Sequence, residues 1–310
     1  MSTSIARKDL VTGRNHTALP ALPAEQRGWV RVGRRFLRRR LNLPAVLLLA
    51  ALCLVALLAP WFAPFDPAEQ LRDAGRAGQP LGPDARFWLG TDNLQRDLLS
   101  RLIFGARVTL SVGLAAGVLT VLTGLAYGSI AGLAGGAVDN WLMRLVDIVI
   151  SLPTLLIMML LLVVLGRSVW VIVGVIVLVN WAYPARIFHA EVASLKEREY
   201  ILAARNVGAG SGRILLRHIL PHLLPLGIIY IGLCVPVAIF AEAGLSFLGL
   251  GIPPPTPDWG GMLQDGLSFY RSAPRLVLLP GACIMLTVIS FNLFTSGLRD
   301  ALDPFMKEPT

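Results

Sequence analysis

Charge is scarce in this sequence. Of 310 residues 55% are hydrophobic and only 15% are Asp, Glu, Lys or Arg, whereas soluble domains carry about 25% charged residues. That deficit excludes an ordinary soluble domain. Cysteine is scarcer still: Cys53, Cys234 and Cys283 lie singly in apolar runs, and the spacing fits neither a disulfide framework nor a thiolate metal site. No G-x-x-x-x-G-K-[ST] loop is present, so ATP binding by that route is not expected of this chain, and Gly208-Ala209-Gly210 is too little to imply a nucleotide fold. His218 and His222 are spaced like ligands on one helical side but have no third partner in the sequence, so no metal site is expected. No serine, cysteine or histidine constellation reads as a nucleophile, so no catalytic residues are assigned.

What is abundant is uninterrupted apolar sequence. Stretches free or nearly free of charge cover 41–65, 108–138, 148–166, 168–185, 219–241 and 276–298. Each is long enough for the ~20 helical residues that a bilayer core requires. Backbone polar groups in lipid must be paired within their own segment, so these runs predict six transmembrane helices in an all-α membrane protein. The net charge of +9 then needs no nucleic acid to explain it, because the basic residues sit at the ends and in short links. A basic tail over 1–40 and a second basic region holding Arg186, Lys196, Arg198, Arg205, Arg213 and Arg217 predict the same orientation. Both termini and the 191–221 loop face the cytoplasm, while 66–107 and 250–275 face outward. The first span is read as a retained helix, since its apolar run and basic lead are too long for a signal peptide. The tail is expected to be disordered or to lie on anionic lipid.

The second span carries Gly113, Gly117, Gly124, Gly128, Gly132 and Gly136 on one helical face. Small residues so arranged either let another helix approach closely or leave room beside a pathway. Glu242 is a carboxylate near bilayer depth in the fifth span. Such a group is a candidate for the translocation pathway or gate, with a structural carboxylate near the outer helix end as the alternative. Arg144 and Asp147, three residues apart, are expected to pair.

The loop over 191–221 is built unlike a simple link. Residues 194–207 have helix-forming composition, Gly208 is a stop signal, and a second helical stretch begins near Ser211. A helix, a glycine break and another helix make a compact knob shaped to enter another protein. An interfacial helix on lipid headgroups is the plainer alternative. Ala203, Ala204, Gly208, Leu220 and Pro221 match the spacing E-A-A-x3-G-x9-I-x-L-P, with Leu202 in the glutamate position and His218 in the isoleucine position. In this the chain resembles permease subunits of importers driven by ATP-binding-cassette ATPases.

The resemblance continues along roughly 44–305. It runs through Ala63-Pro64-Phe65-Asp66-Pro67, Leu89-Gly90-Thr91-Asp92, Arg96-Asp97-Leu98-Leu99-Ser100-Arg101 and Glu242-Ala243-Gly244-Leu245-Ser246-Phe247-Leu248-Gly249. It ends through Trp259-Gly260 and Gly297-Leu298-Arg299-Asp300. In order these are similar to the C-type subunit of the dipeptide, oligopeptide and nickel permeases, and Gln95 stands where that family usually has glycine. The resemblance implies a MetI-like bundle over 108–298, preceded by a first helix over 41–65 and an external segment over 66–107, with a short tail over 299–310. It implies ATPase coupling through Leu202, Ala203, Ala204, Arg205, Gly208 and Gly212. It also implies a second permease subunit, one or two cytoplasmic ATPases that carry the ATP and Mg, and an extracytoplasmic peptide-binding protein, in a bacterial inner membrane. Asp258 and Trp259 are the expected binding-protein contacts. The run Ala68-Glu69-Gln70-Leu71-Arg72-Asp73 looks most like dipeptide-type members, with nickel chelates, glutathione or another small solute as alternative cargo. A self-contained secondary transporter would leave the 191–221 loop unexplained.

Overall fold

The computed structural model describes Phe36, residues 42–70 and residues 78–302. Most of the basic tail, the Leu71-Arg72-Asp73 run and the last eight residues, 303–310, lie outside the described residues. The described chain is helical, and its isolated β-bridge joins Thr91 to Asp97. In order the helices are α1 (Asn42–Leu57), α2 (Leu98–Ala134), α3 (Gly136–Ser151), α4 (Thr154–Leu165) and α5 (Val169–Asn180). They continue with α6 (Ala182–Leu195), α7 (Glu199–Asn206), α8 (Leu220–Phe247), α9 (Trp259–Leu267) and α10 (Arg275–Leu302).

Three helical stretches are long and apolar enough to cross a bilayer unbroken: Leu98–Ala134, Ser211–Phe247 and Arg275–Leu302. Two expected spans are bent pairs instead, with α3 and α4 meeting at 89° and α5 and α6 at 46°. The first bend falls at Leu152-Pro153, where proline removes a backbone donor and its ring obstructs the preceding turn. The expected third span therefore divides, and Asp139, Arg144 and Asp147 belong to the separate α3. The described part of the first span is 16 residues long and is followed by one further helical turn, Ala59–Phe62. Trp61, Trp141 and Trp170 are 87%, 78% and 77% exposed, as suits aromatic rings at the two edges of a bilayer.

The bundle is organised around α2, which packs along α6 and α8 through its glycine face. A Cβ on Gly117 would lie 2.7 Å from Val235 Cγ2, and one on Gly124 would lie 2.8 Å from the Ala185 amide nitrogen. Gly113 closes on Ile239, Gly128 on the Ala185 carbonyl and Gly132 on Val192. Of the two readings of this stripe, close helix contact is the one observed; Gly136 alone has open space. In lipid, such backbone approach supplies van der Waals attraction that larger side chains would prevent. Asp147 finds its partner across the bundle in Arg186 of α6, and His189 Nε2 lies 2.7 Å from Asp139 Oδ1. These contacts replace the expected local pair of Arg144 with Asp147.

Candidate functional site

The knob begins where α6 ends. Lys196 Nζ donates to the Gly132 carbonyl at 2.9 Å, which ties the exit of α6 to the end of α2. The next helix, α7, turns one face inward: Ile201 is fully buried with Val192, Leu195, Ile214, Ile219 and Leu223. After α7 the chain must reverse. Gly208 does this at φ +88°, a left-handed conformation that side chains with a Cβ adopt only with strain. The Gly208 amide then donates to Arg205 O and the Ala209 amide to Ala204 O, each at 3.0 Å, which caps the helix. A helical turn at Ser211–Ile214 and a π-helical turn at Leu215–Ile219 lead directly into α8. The wide turn lies just before Pro221, whose missing amide could not complete a regular α-helical ladder there.

Large apolar side chains of the knob stand uncovered. Leu202 is 44% exposed, Val207 86% and Leu216 67%. Ala203, Arg205, Gly208 and Gly212 are exposed beside them, with Ala204 half-buried. The expected coupling residues other than Ala204 are thus exposed on the knob, and Ile201 is buried within it. Ile201 was not singled out in the sequence. Its only signal there is its place as the apolar residue one step before Leu202.

At the other end of the bundle, residues of the loop before α2 fold into a buried charged centre. The Asp92 carboxylate accepts from the Leu94 and Arg96 amides at 2.9 Å, from Arg96 Nε at 2.7 Å, and meets Arg101 Nε at 3.3 Å. Asp97 caps α2 by accepting from the Ser100 amide at 2.8 Å and hydroxyl at 2.7 Å. The turn between them holds Gln95 at φ +59°, which accounts for the glycine usual in the resembled family at this position. Arg275 Nε reaches the Leu89 carbonyl at 3.0 Å, fastening this segment to the start of α10.

Glu242, on α8, is fully buried and accepts from Ser246 Oγ at 3.1 Å. Asp258 and Thr109 face it from the neighbouring elements. Asp258 caps α9 by accepting from the Gly261 amide at 2.7 Å, and its carboxyl is pushed up from its ordinary value, chiefly by burial. Trp259 is 1% exposed, and its indole donates to the Leu102 carbonyl at 3.0 Å. Asp258 and Trp259, the expected binding-protein contacts, are thus both buried where α9 begins. They clamp α9 onto α2 and α8. Among the described residues no group of acidic, histidine or cysteine side chains is arranged to hold a metal ion.

With both ends described, likeness to known proteins can be placed on the geometry. Residues 124–308 match the family model for a binding-protein-dependent transport system inner membrane component. Residues 29–80 match that for the N-terminal transmembrane domain of oligopeptide transport permease C. The chain is 38% identical over 275 residues to the oligopeptide transport system permease protein OppC of Bacillus subtilis, covering 88% of each chain. It is 41% identical over 263 residues to the di/tripeptide transport system permease protein DppC of Pseudomonas aeruginosa, covering 84% of this chain and 86% of that one. With the dipeptide transport system permease protein DppC of Bacillus subtilis it shares 37% over 289 residues, or 93% of this chain and 88% of the relative. The first model begins inside α2 and takes in the whole knob.

Proposed function

The chain belongs to the family of binding-protein-dependent transport system inner membrane components, and from that premise we infer how its two ends work together. It is a multi-pass inner-membrane permease subunit of an ATP-binding-cassette importer for peptides, short peptides and dipeptides foremost. The observation that carries the mechanism is the exposed apolar knob fixed to the end of a membrane-crossing helix. Bare Leu202, Val207 and Leu216 are suited to the groove of a cytoplasmic ATPase, and the buried Ile201 cluster makes the knob move as one piece with α6 and α8.

A helix transmits that motion across the membrane. At ~1.5 Å per residue, the 28 residues of α8 reach from the knob to Glu242 and the external segment. In the proposed cycle, ATP-driven closure of one or two partner ATPases displaces this knob and that of a second permease subunit. The pathway between the two subunits then opens outward, a binding protein releases its peptide into it, and resetting delivers the peptide inside. ATP and Mg bind the partner ATPases. The basic residues of the 191–221 loop support a cytoplasmic knob, and with it cytoplasmic termini. The binding protein would rest on exposed parts of the external segments, such as Trp88, with Asp258 and Trp259 holding that surface in shape. Glu242 would register movement of α8 at the outer gate through Asp258 and Thr109, which face it from neighbouring elements.

The test is reconstitution of the complete transporter in liposomes with binding protein outside and ATP inside. Uptake of a labelled dipeptide that requires both components supports the reading. Uptake without ATP, or none in a complex that hydrolyses ATP, refutes it.

A further inference from the structure

The external face holds a pocket of about 270 Å³ between the segment before α2, the link between α4 and α5, the chain after α8, and α9. Its wall is charged and built from within. Arg96, Arg101 and Asp258, all lining it, are 4%, 5% and 3% exposed. Charged groups buried to that degree are costly unless opposed by partners. Asp92 meets the Nε atoms of both arginines, but their Nη2 atoms stand 3.8 and 3.9 Å from Asp265 Oδ2, beyond hydrogen-bond reach. Two guanidinium groups thus converge on the pocket beside a carboxylate that does not close on them. Arg167 adds a third positive charge from the opposite wall. Its Nη1 donates to the Gly249 carbonyl at 2.7 Å, and among the described residues no carboxylate pairs with it. Asn93, also in the wall, has a buried Oδ1 without a hydrogen-bond partner.

We propose that this pocket seats the zwitterionic backbone of a short peptide, its carboxylate toward the arginines and its ammonium toward Asp258, Asp265 and Asn93. The proposal rests on the importer reading and gives it a landing place on the permease itself. An anion alone would be set against two aspartates, and a cation alone against three arginines. A solute carrying both charges, separated along its length, opposes each with its complement. The volume, slightly under the ~300 Å³ at which small-molecule sites usually begin, limits the occupant to something as small as a dipeptide.

The experiment uses the intact transporter with its ATPases in nanodiscs and without binding protein. Equilibrium dialysis compares alanyl-alanine with its N-acetylated and its C-amidated forms. Blocking either end should weaken binding about tenfold, the loss of one hydrogen-bonded charge. Arg167→Gln and Asp265→Asn, both on the exposed rim, should weaken it similarly in a complex that still contains its ATPases. Equal binding of the blocked peptides, or indifference to both substitutions, overturns the proposal. So does an absence of binding in a transporter that still imports alanyl-alanine once binding protein is added, an outcome that leaves the importer reading standing. If the substitutions abolish binding-protein docking and leave peptide affinity unchanged, the pocket receives a side chain of that protein and the proposal is wrong. A complete transporter that imports no peptide would remove the importer reading and this inference together.

Discussion

Gly128→Ala adds one methyl group at the closest approach of α2 and α6. The new Cβ would overlap the Ala185 carbonyl oxygen and lie 2.8 Å from the His189 amide nitrogen. Both are backbone atoms of α6, so no rotamer change relieves the contact and the helices must separate. Overpacking of this kind costs about 1–3 kcal/mol, and backbone neighbours place it toward the upper end. Against this, alanine is the better helix former by about 1 kcal/mol. The net expectation is a loss of about 1–2 kcal/mol, or ~2–3 °C in Tm for a chain of 310 residues. Gly174→Ala is the internal control, since a Cβ at exposed Gly174 in α5 meets nothing within 4 Å. It carries the same propensity gain without the clash and should leave Tm unchanged or raise it. Thermal unfolding of the purified proteins in one detergent compares them directly. If Gly128→Ala is as stable as Gly174→Ala, α2 and α6 do not touch through this face and the packing argument is refuted.

Ile201→Ala removes the anchor beneath the knob and should cost about 2–5 kcal/mol locally; the expected result is ATP hydrolysis by the assembled transporter that no longer drives uptake, read by measuring both in the same vesicles. Asp92→Asn leaves Arg96 and Arg101 buried without their shared counter-charge, a loss of about 3–5 kcal/mol, and should sharply reduce folded permease in membranes, as seen by size-exclusion of detergent extracts. Asp258 has its carboxyl raised above the ordinary 3.8, so the folded chain keeps this proton to higher pH than the unfolded one. The resulting stabilisation is complete below pH 3.8 and is lost as pH rises toward the folded value. Asp258→Asn keeps the cap on α9 and should flatten that part of the Tm profile; an unchanged slope would remove Asp258 as its source.

The apolar stretches were legible because lipid demands a run without charge, and three of them form unbroken helices long and apolar enough to cross a bilayer. The bends were less legible. A proline such as Pro153 does not by itself distinguish a mild kink from the 89° turn between α3 and α4. The glycine stripe was visible by spacing, whereas its partners, α6 and α8, lie far along the chain and depend on tertiary packing. The residues expected to couple came from the likeness of the 191–221 loop to a family pattern; only the reversal at Gly208 follows from the backbone itself. The charged centre around Asp92 did not emerge as a unit. Its members, Asp92, Arg96, Arg101 and Asp265, come from the segment before α2, from α2 itself and from α9, and nothing in their spacing states that they meet. The burial of Trp259 and Asp258 was not legible, because it depends on α9 folding down on α2, far away along the chain.

The most direct test of the coupling mechanism is capture of an ATPase by the tagged permease, expressed with its neighbouring subunits, in wild-type and Val207→Asp forms. Val207 is 86% exposed and touches no core, so the substitution changes the docking surface and spares the fold. Wild type should bring down an ATP-binding-cassette ATPase, and Val207→Asp should lose most of it while eluting as folded permease. An undiminished yield of ATPase with Val207→Asp, or none with wild type, would contradict docking through this knob.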